Sequence, residues 1–204
     1  MRTLMILLLG TFGILQAEAQ RVLQFVGEIP LPRVEGRIDH MDIDVQNRRL
    51  FIAALGNNSV EVVDLKQRKV IRSMTGLDEP QGIRYISKSN KIVVANGGDG
   101  SVRIFDGSTF EEAQRIKFAD DADNVRYDSS TDRIYVGYGE GAIGLIDALT
   151  FKELGVITLP GHPESFQLEQ AGSRIFVNVP AAKRIIALDG MNQKQISSIE
   201  LEGE

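Results

Sequence analysis

From residue 36 onward the chain alternates short apolar, β-branched runs with clusters of Asp, Asn, Ser and Gly, and the alternation itself repeats. Aspartates closing the third apolar run of each unit stand at Asp64, Asp106, Asp147 and Asp189, at intervals of 42, 41 and 42. The first large apolar residue of the preceding run keeps step at Leu50, Ile92, Ile134 and Ile175, at intervals of 42, 42 and 41. Two landmarks that drift by one residue over three intervals define a repeat. Every unit parses into the same runs. A first run covers Met41–Asp44, Ile83–Ile86, Val125–Tyr127 and Phe166–Leu168, followed by a polar turn. A second, dense in β-branched and aromatic residues, begins at each apolar landmark. A third covers Val60–Val63, Val102–Phe105, Ile143–Ile146 and Ile185–Leu188. The fourth covers Val70-Ile71, Ala113–Phe118, Leu154–Leu159 and Gln195–Leu201. Runs of this length and composition, bounded by turn residues, predict strands.

A period of about 42 residues holding only strand patterns predicts an all-β fold, a β-propeller, with one four-stranded blade per unit. The blades expected are approximately 36–75, 76–118, 119–159 and 160–201. Between second and third runs, Asn57-Asn58, Asp99-Gly100 and Glu140-Gly141 predict primed hairpin turns. Ala182-Lys183 in the fourth unit predicts a longer or different turn. The closing aspartates are expected to accept hydrogen bonds from amides of the next turn. Segment 20–30 (Val22–Ile29 at its centre) reads as an extra outer strand with no blade of its own. Four inner sets against five outer strands predict a partial ring, with two end faces. Leaving about ten side chains bare on each would forfeit on the order of 10 kcal/mol, comparable to the ~5–15 kcal/mol stability of a domain. The chain is therefore expected either to be a fragment of a longer propeller or to self-associate.

Residues 1–19 are expected to be a Sec-type signal peptide, cleaved after Ala19, making the protein secreted or periplasmic. Arg2 precedes an apolar run, Leu4–Leu15, too short to span a bilayer, and Ala17-Glu18-Ala19 supplies the small-x-small site. The domain proper is then 20–204, with no membrane span. The sequence has no cysteine, which excludes disulfides, thiol chemistry and thiolate metal sites. A net charge of −5 without any Lys/Arg block argues against a nucleic-acid partner.

The core "Ile-x-Val-Ala-Asn … Gly-Ser-Val-x-Ile-x-Asp" at Ile92–Asn96 and Gly100–Asp106, with variants at Leu50–Asp64, Ile134–Asp147 and Ile175–Asp189, resembles the YVTN/YncE-like secreted bacterial β-propellers, relatives of WD40 propellers. The strings GRIDHMDID (36–44), DDADNVRYD (120–128) and GHPESFQLE (161–169) resemble a subgroup of it. The resemblance implies a seven-bladed ring, of which four blades are present here, and a binding or surface role.

Propellers hold ligands at the channel mouth, on loops entering each innermost strand. Aligned on the apolar landmarks, one column of these loops reads Asp39, Gln81, Asp123, Glu164. The next reads His40, Gly82, Asn124, Ser165. Two further on stand Asp42, Arg84, Arg126 and Gln167. With His162 two residues ahead of Glu164, the candidate ligand-binding set is Asp39, His40, Gln81, Asp123, Asn124, Arg126, His162, Glu164 and Ser165. Asp39, Asp123 and Glu164 would be the ligands of any metal, Ca²⁺ being the hard cation that oxygen donors suit. A cationic or polyhydroxylated molecule would serve as well. Otherwise no cofactor is expected, and the partner is an unidentified small molecule or protein. His40 and His162 lack a third ligand at any zinc spacing. Asp120, Asp121 and Asp123 lack EF-hand spacing. No nucleophile–base constellation is evident, so a non-catalytic binding module is expected. The alternatives are a metal-dependent, lactonase-like hydrolase with a channel-mouth carboxylate site, or an inactive truncated propeller.

Overall fold

The computed structural model describes residues 24–202; the expected signal peptide, Val22 and Leu23 lie outside them. Sixteen strands form four antiparallel sheets, each a simple meander. The first blade comprises β1 (Met41–Asp44), β2 (Arg49–Ala54), β3 (Ser59–Asp64) and β4 (Lys69–Thr75). The second comprises β5 (Pro80–Ile86), β6 (Lys91–Asn96), β7 (Ser101–Asp106) and β8 (Glu112–Lys117). The third comprises β9 (Ala122–Asp128), β10 (Arg133–Tyr138), β11 (Ala142–Asp147) and β12 (Glu153–Thr158). The fourth comprises β13 (Ser165–Leu168), β14 (Arg174–Val179), β15 (Arg184–Asp189) and β16 (Lys194–Glu200). This is the predicted partial β-propeller of four four-stranded blades. No helix among the described residues is long and apolar enough to cross a membrane.

The core lies between blades. Phe51, Val60 and Val62 of the first blade pack with Ile83, Ile92 and Val94 of the second. Val93, Val102 and Ile104 of the second pack with Val125, Ile134 and Val136 of the third. Tyr135, Ile143 and Leu145 of the third pack with Phe166, Ile175 and Val177 of the fourth. Strand alternation explains the pattern, since neighbouring residues point to opposite sheet faces. Sheets buried on both faces therefore read as continuous apolar runs.

The repeated aspartates do what their position predicts. One carboxylate oxygen of Asp64, Asp106, Asp147 and Asp189 accepts the amides two and three residues on, at 2.7–3.1 Å in every unit. Hydrogen bonds hold all four carboxyls below their ordinary range, led by turn amides at Asp64 and Asp147, by the Lys91 side chain at Asp106 and by the Asn192 side chain at Asp189. Lys91 takes Asp106 lowest, to about 2. Side chains also tie blade to blade. Arg49 donates to the Gly107 carbonyl of the second blade, and Arg133 reaches the Gly190 carbonyl of the fourth at 3.1 Å. Near the inner edge, Asp42 accepts the Tyr85 amide at 2.6 Å.

Two local expectations need correction. The β2–β3 connection is not a two-residue primed turn. It is a single 3₁₀ turn over Leu55–Asn57 with only Asn58 left-handed, at φ 51°. The fourth unit, expected to differ, repeats this form with Pro180–Ala182 and Lys183 at φ 50°. A 3₁₀ turn places one positive-φ residue where a type I′ turn needs two, so a lysine suffices. Of the segment expected to form an extra outer strand, the described residues 24–30 carry no strand. Gly27 turns at φ +137°, and Pro30 and Pro32 have no amide to offer a ladder. The segment lies instead against the first blade, where Arg68 donates to the Glu28 carbonyl at 2.9 Å. Ile52, Ala54 and Val63, on that blade's far face, are buried. The corresponding free face of the fourth blade is open, with Phe176 37% and Ile199 62% exposed.

Two predictions follow from the packing and turns. At Gly82 a Cβ would stand 1.8 Å from the Asp123 carbonyl oxygen of the adjacent blade. Gly82→Ala should cost about 3 kcal/mol in urea unfolding. Gly76→Ala, strained at φ +76° but facing open space, should cost about 1 kcal/mol. Equal losses would refute the close approach. For Asp106 the folded carboxyl lies below its ordinary 3.8. Its contribution is therefore present above pH 4 and lost as pH falls toward 2. Asp106→Asn should flatten the acid limb of a melting-temperature profile in that window and leave its slope above pH 5 unchanged.

Candidate functional site

Each innermost strand is entered by a loop that carries the polar columns, and adjacent blades bring these loops together at the inner edge. Asp39 and His40 come from the first blade, Asp121 and Asp123 from the third, and His162 from the fourth. His40 Nδ1 lies 2.9 Å from Asp39 Oδ1, within ion-pair distance but without hydrogen-bond alignment. Arg37, which is exposed, binds Asp39 at 2.6 Å. His162 stands 3.6 Å from Asp121 and 3.9 Å from Asp123, and its Nδ1 is 2.7 Å from the Gly139 carbonyl. Gln81 donates to Asp121 at 3.2 Å.

Asp123 is the electrostatic centre of this group. Burial pushes its carboxyl up to about 6. His40 and His162 oppose that rise, while the like charges of Asp39 and Asp121 add to it. Desolvation dominates because removing a carboxylate from water disfavours its charged form. Asp123 therefore changes charge just below neutral pH.

Three candidate residues have other work. Asn124 donates to Asp123 at 2.8 Å and across the blade interface to the Glu164 carbonyl at 2.9 Å, leaving its own buried Oδ1 without a donor. It ties the third blade to the fourth. Glu164 supplies only that carbonyl; its carboxylate is exposed, and among the described residues neither it nor Ser165 makes a side-chain hydrogen bond or ion pair. Arg126 lies three residues further along β9, its guanidinium 5.4 Å from the Phe166 ring centre and donating to the Val125 carbonyl. Burial, and then Arg84, lower its pKa. Arg84 lies 3.4 Å from Asp42. The inner edge thus carries an acidic layer of Asp39, Asp121 and Asp123, with a basic layer of Arg84 and Arg126 beyond it.

Asp121 belongs to the group but not to the expected set. Its signal was two columns away: Arg37, Glu79, Asp121 and His162 are equivalent positions, two residues ahead of the Asp39 column. Among the described residues no three His, Asp or Glu side chains are gathered closely enough to hold a metal ion. The expected trio of Asp39, Asp123 and Glu164 is not assembled.

No protein-family model matches the chain, and no curated protein is similar to it. Among solved structures it is similar to the hydrazine synthase of Kuenenia stuttgartiensis. The two are 17% identical with a TM-score of 0.72, over 88% of this chain and 52% of that one. The likeness is one of fold. The chain spans about half the length of that structure, and the comparison carries nothing about chemistry at the inner edge.

Asp123 supplies its own test. Its folded carboxyl is raised, so the native state holds a proton that the unfolded chain releases between about pH 4 and 6, and stability falls as pH rises through that window. Asp123→Asn removes this loss. The variant should melt higher than the native chain at pH 7 and no higher at pH 4. A carboxyl titrating near 4 in ¹³C NMR would contradict the assignment.

Proposed function

We propose that this chain is a non-catalytic binding module of an exported, YVTN/YncE-like propeller, and that its inner-edge acidic layer takes a small organic cation. The observation carrying this reading is the convergence of Asp39, Asp121 and Asp123 with His40 and His162 from three blades. Three carboxylates in a partly desolvated site favour a positive guest. The histidines and the Asn124 amide would suit a ligand carrying N–H or O–H donors as well as charge. The fold supports a binding role in general, because propeller loops converge on one edge from independent blades.

Binding should depend on pH through Asp123. A carboxyl titrating at about 6 is roughly 10% ionised at pH 5 and 90% at pH 7. Spermidine, titrated calorimetrically into the chain, should bind roughly tenfold more weakly at pH 5 than at pH 7. Asp39→Asn combined with Asp121→Asn should abolish the heat at both. No heat from spermidine at pH 7 would overturn the cation reading. Stoichiometric uptake of Ca²⁺ that spermidine fails to displace would replace it with a metal site.

A further inference from the structure

The first blade carries a second site, away from the inner edge. A cavity of about 440 Å³ separates residues Pro30–Val34 from β3 and β4. Glu61 forms part of its wall and is only 4% exposed. Ser59 and Ser73 hydroxyls both donate to Glu61 Oε1, each at 2.7 Å. Asn57 donates in turn to Ser59 at 2.9 Å, fixing that hydroxyl. Among the described residues Glu61 Oε2 has no donor, and no cation lies within ion-pair distance of the carboxylate.

The repeat makes this carboxylate conspicuous. Equivalent positions are Arg103, Gly144 and Ile186, and each is used against the preceding blade. Arg103 donates to the first blade's Gly76 carbonyl at 2.6 Å. Gly144 leaves room for the Phe118 ring, which a Cβ would meet at 2.5 Å. Ile186 is buried in the third interface. Of the four equivalents, only that of the first blade is a carboxylate, and it faces a cavity. Buried carboxylates are retained at a cost to stability unless a cation satisfies them. The remaining wall fits an elongated guest. Leu31, Val34 and Val70 are apolar, while exposed Arg33, Lys69 and Arg72 supply positive charge toward solvent.

We propose that this cavity binds a small zwitterion with an apolar body, its ammonium group inward on Glu61 and its anionic end outward on the Arg33, Lys69 and Arg72 rim. ω-Amino acids and short apolar peptides with a free amino terminus have this chemistry. The cavity volume lies within the usual range for small-ligand sites, ~300–1,000 Å³.

Isothermal titration of the chain with 6-aminohexanoate, hexylamine and hexanoate tests the assignment. 6-Aminohexanoate should bind, hexylamine about tenfold more weakly for want of the rim contact, and hexanoate not at all. Glu61→Gln should lose at least tenfold in 6-aminohexanoate affinity and melt higher than the native chain, because the unsatisfied charge is gone. Ile71→Trp, at an exposed position on the cavity wall, should block the ligand while leaving Glu61 and the fold in place. Hexanoate binding as well as 6-aminohexanoate, binding undiminished in Glu61→Gln, or no heat from either amine at about 10 mM would each overturn the proposal. Spermidine binding at the inner edge should be unaffected by either variant, which keeps the two sites separable.

Discussion

Face-to-face packing of neighbouring sheets is the constraint on which everything else in this chain depends. No blade has a core of its own: the clusters around Phe51 and Ile92, Val93 and Ile134, and Tyr135 and Ile175 are each drawn from two blades. A single four-stranded sheet would leave both faces wet, and only stacking removes them from water. The separation of blades is then set by the bulk of these side chains, and positions between the inner strands must conform. Gly82 is the clearest case. The Asp123 carbonyl occupies the space a side chain would need, so the interface dictates glycine where the same column holds His40 and Asn124 elsewhere.

The same constraint assembles the inner-edge site. Asp39, Asp123 and His162 are far apart in sequence and belong to three separate sheets. They meet because their loops enter the inner strands of adjacent blades at corresponding places and the blades are rotated toward one axis. Burial of Asp123, more than any single charge, raises its carboxyl. A site built this way is sensitive to blade spacing. The latches that hold the spacing, Asp42 on the Tyr85 amide and Asn124 on the Glu164 carbonyl, lie three residues from Asp39 and one from Asp123.

Architecture was legible in the sequence because period and alternation both report on packing. Ile92, Ile134 and Ile175 repeat because each fills an equivalent interface, and Leu50 holds the same position on the first blade's far face. Asp64 and its equivalents repeat because each caps an equivalent turn. Less was legible where local geometry had several solutions. Asn57-Asn58 and Asp99-Gly100 tolerate positive φ, and that tolerance suits a 3₁₀ turn with one left-handed residue as well as a primed hairpin. Lys183 carries no such signal, yet takes the same conformation because the strands on either side demand it. At the site, column alignment placed Asp39, His40, Asp123 and Asn124 at one height but not on one face. Alternation along the inner strand turned Asn124 toward the next blade, and the Glu164 loop presents a carbonyl there in place of its carboxylate. Asp121 was missed because its column mixes Arg37, Glu79 and His162, a set with no shared chemistry until the loops are placed in space.

Glu61 was invisible for a different reason. In sequence it is one polar residue in the alternation of β3, and alternation predicts an exposed face. The fold buries that face in every blade, so its residues must suit an interface, and three of the four equivalents do. A carboxylate there gains two hydroxyl donors, but hydroxyls cannot neutralise it. Asp123 is the instructive comparison: it too is desolvated, but histidines stand beside it and its proton can return near neutral pH. The two groups answer the cost of burial differently, one through neighbouring imidazoles and its own proton, the other through an open volume bounded by apolar side chains and cations at the rim. Packing alone would have filled that volume with an aliphatic residue, as it did at Ile186. That a buried carboxylate and a cavity occur together on the first blade's far face argues for a guest, since each by itself lowers stability and only an occupant offsets both.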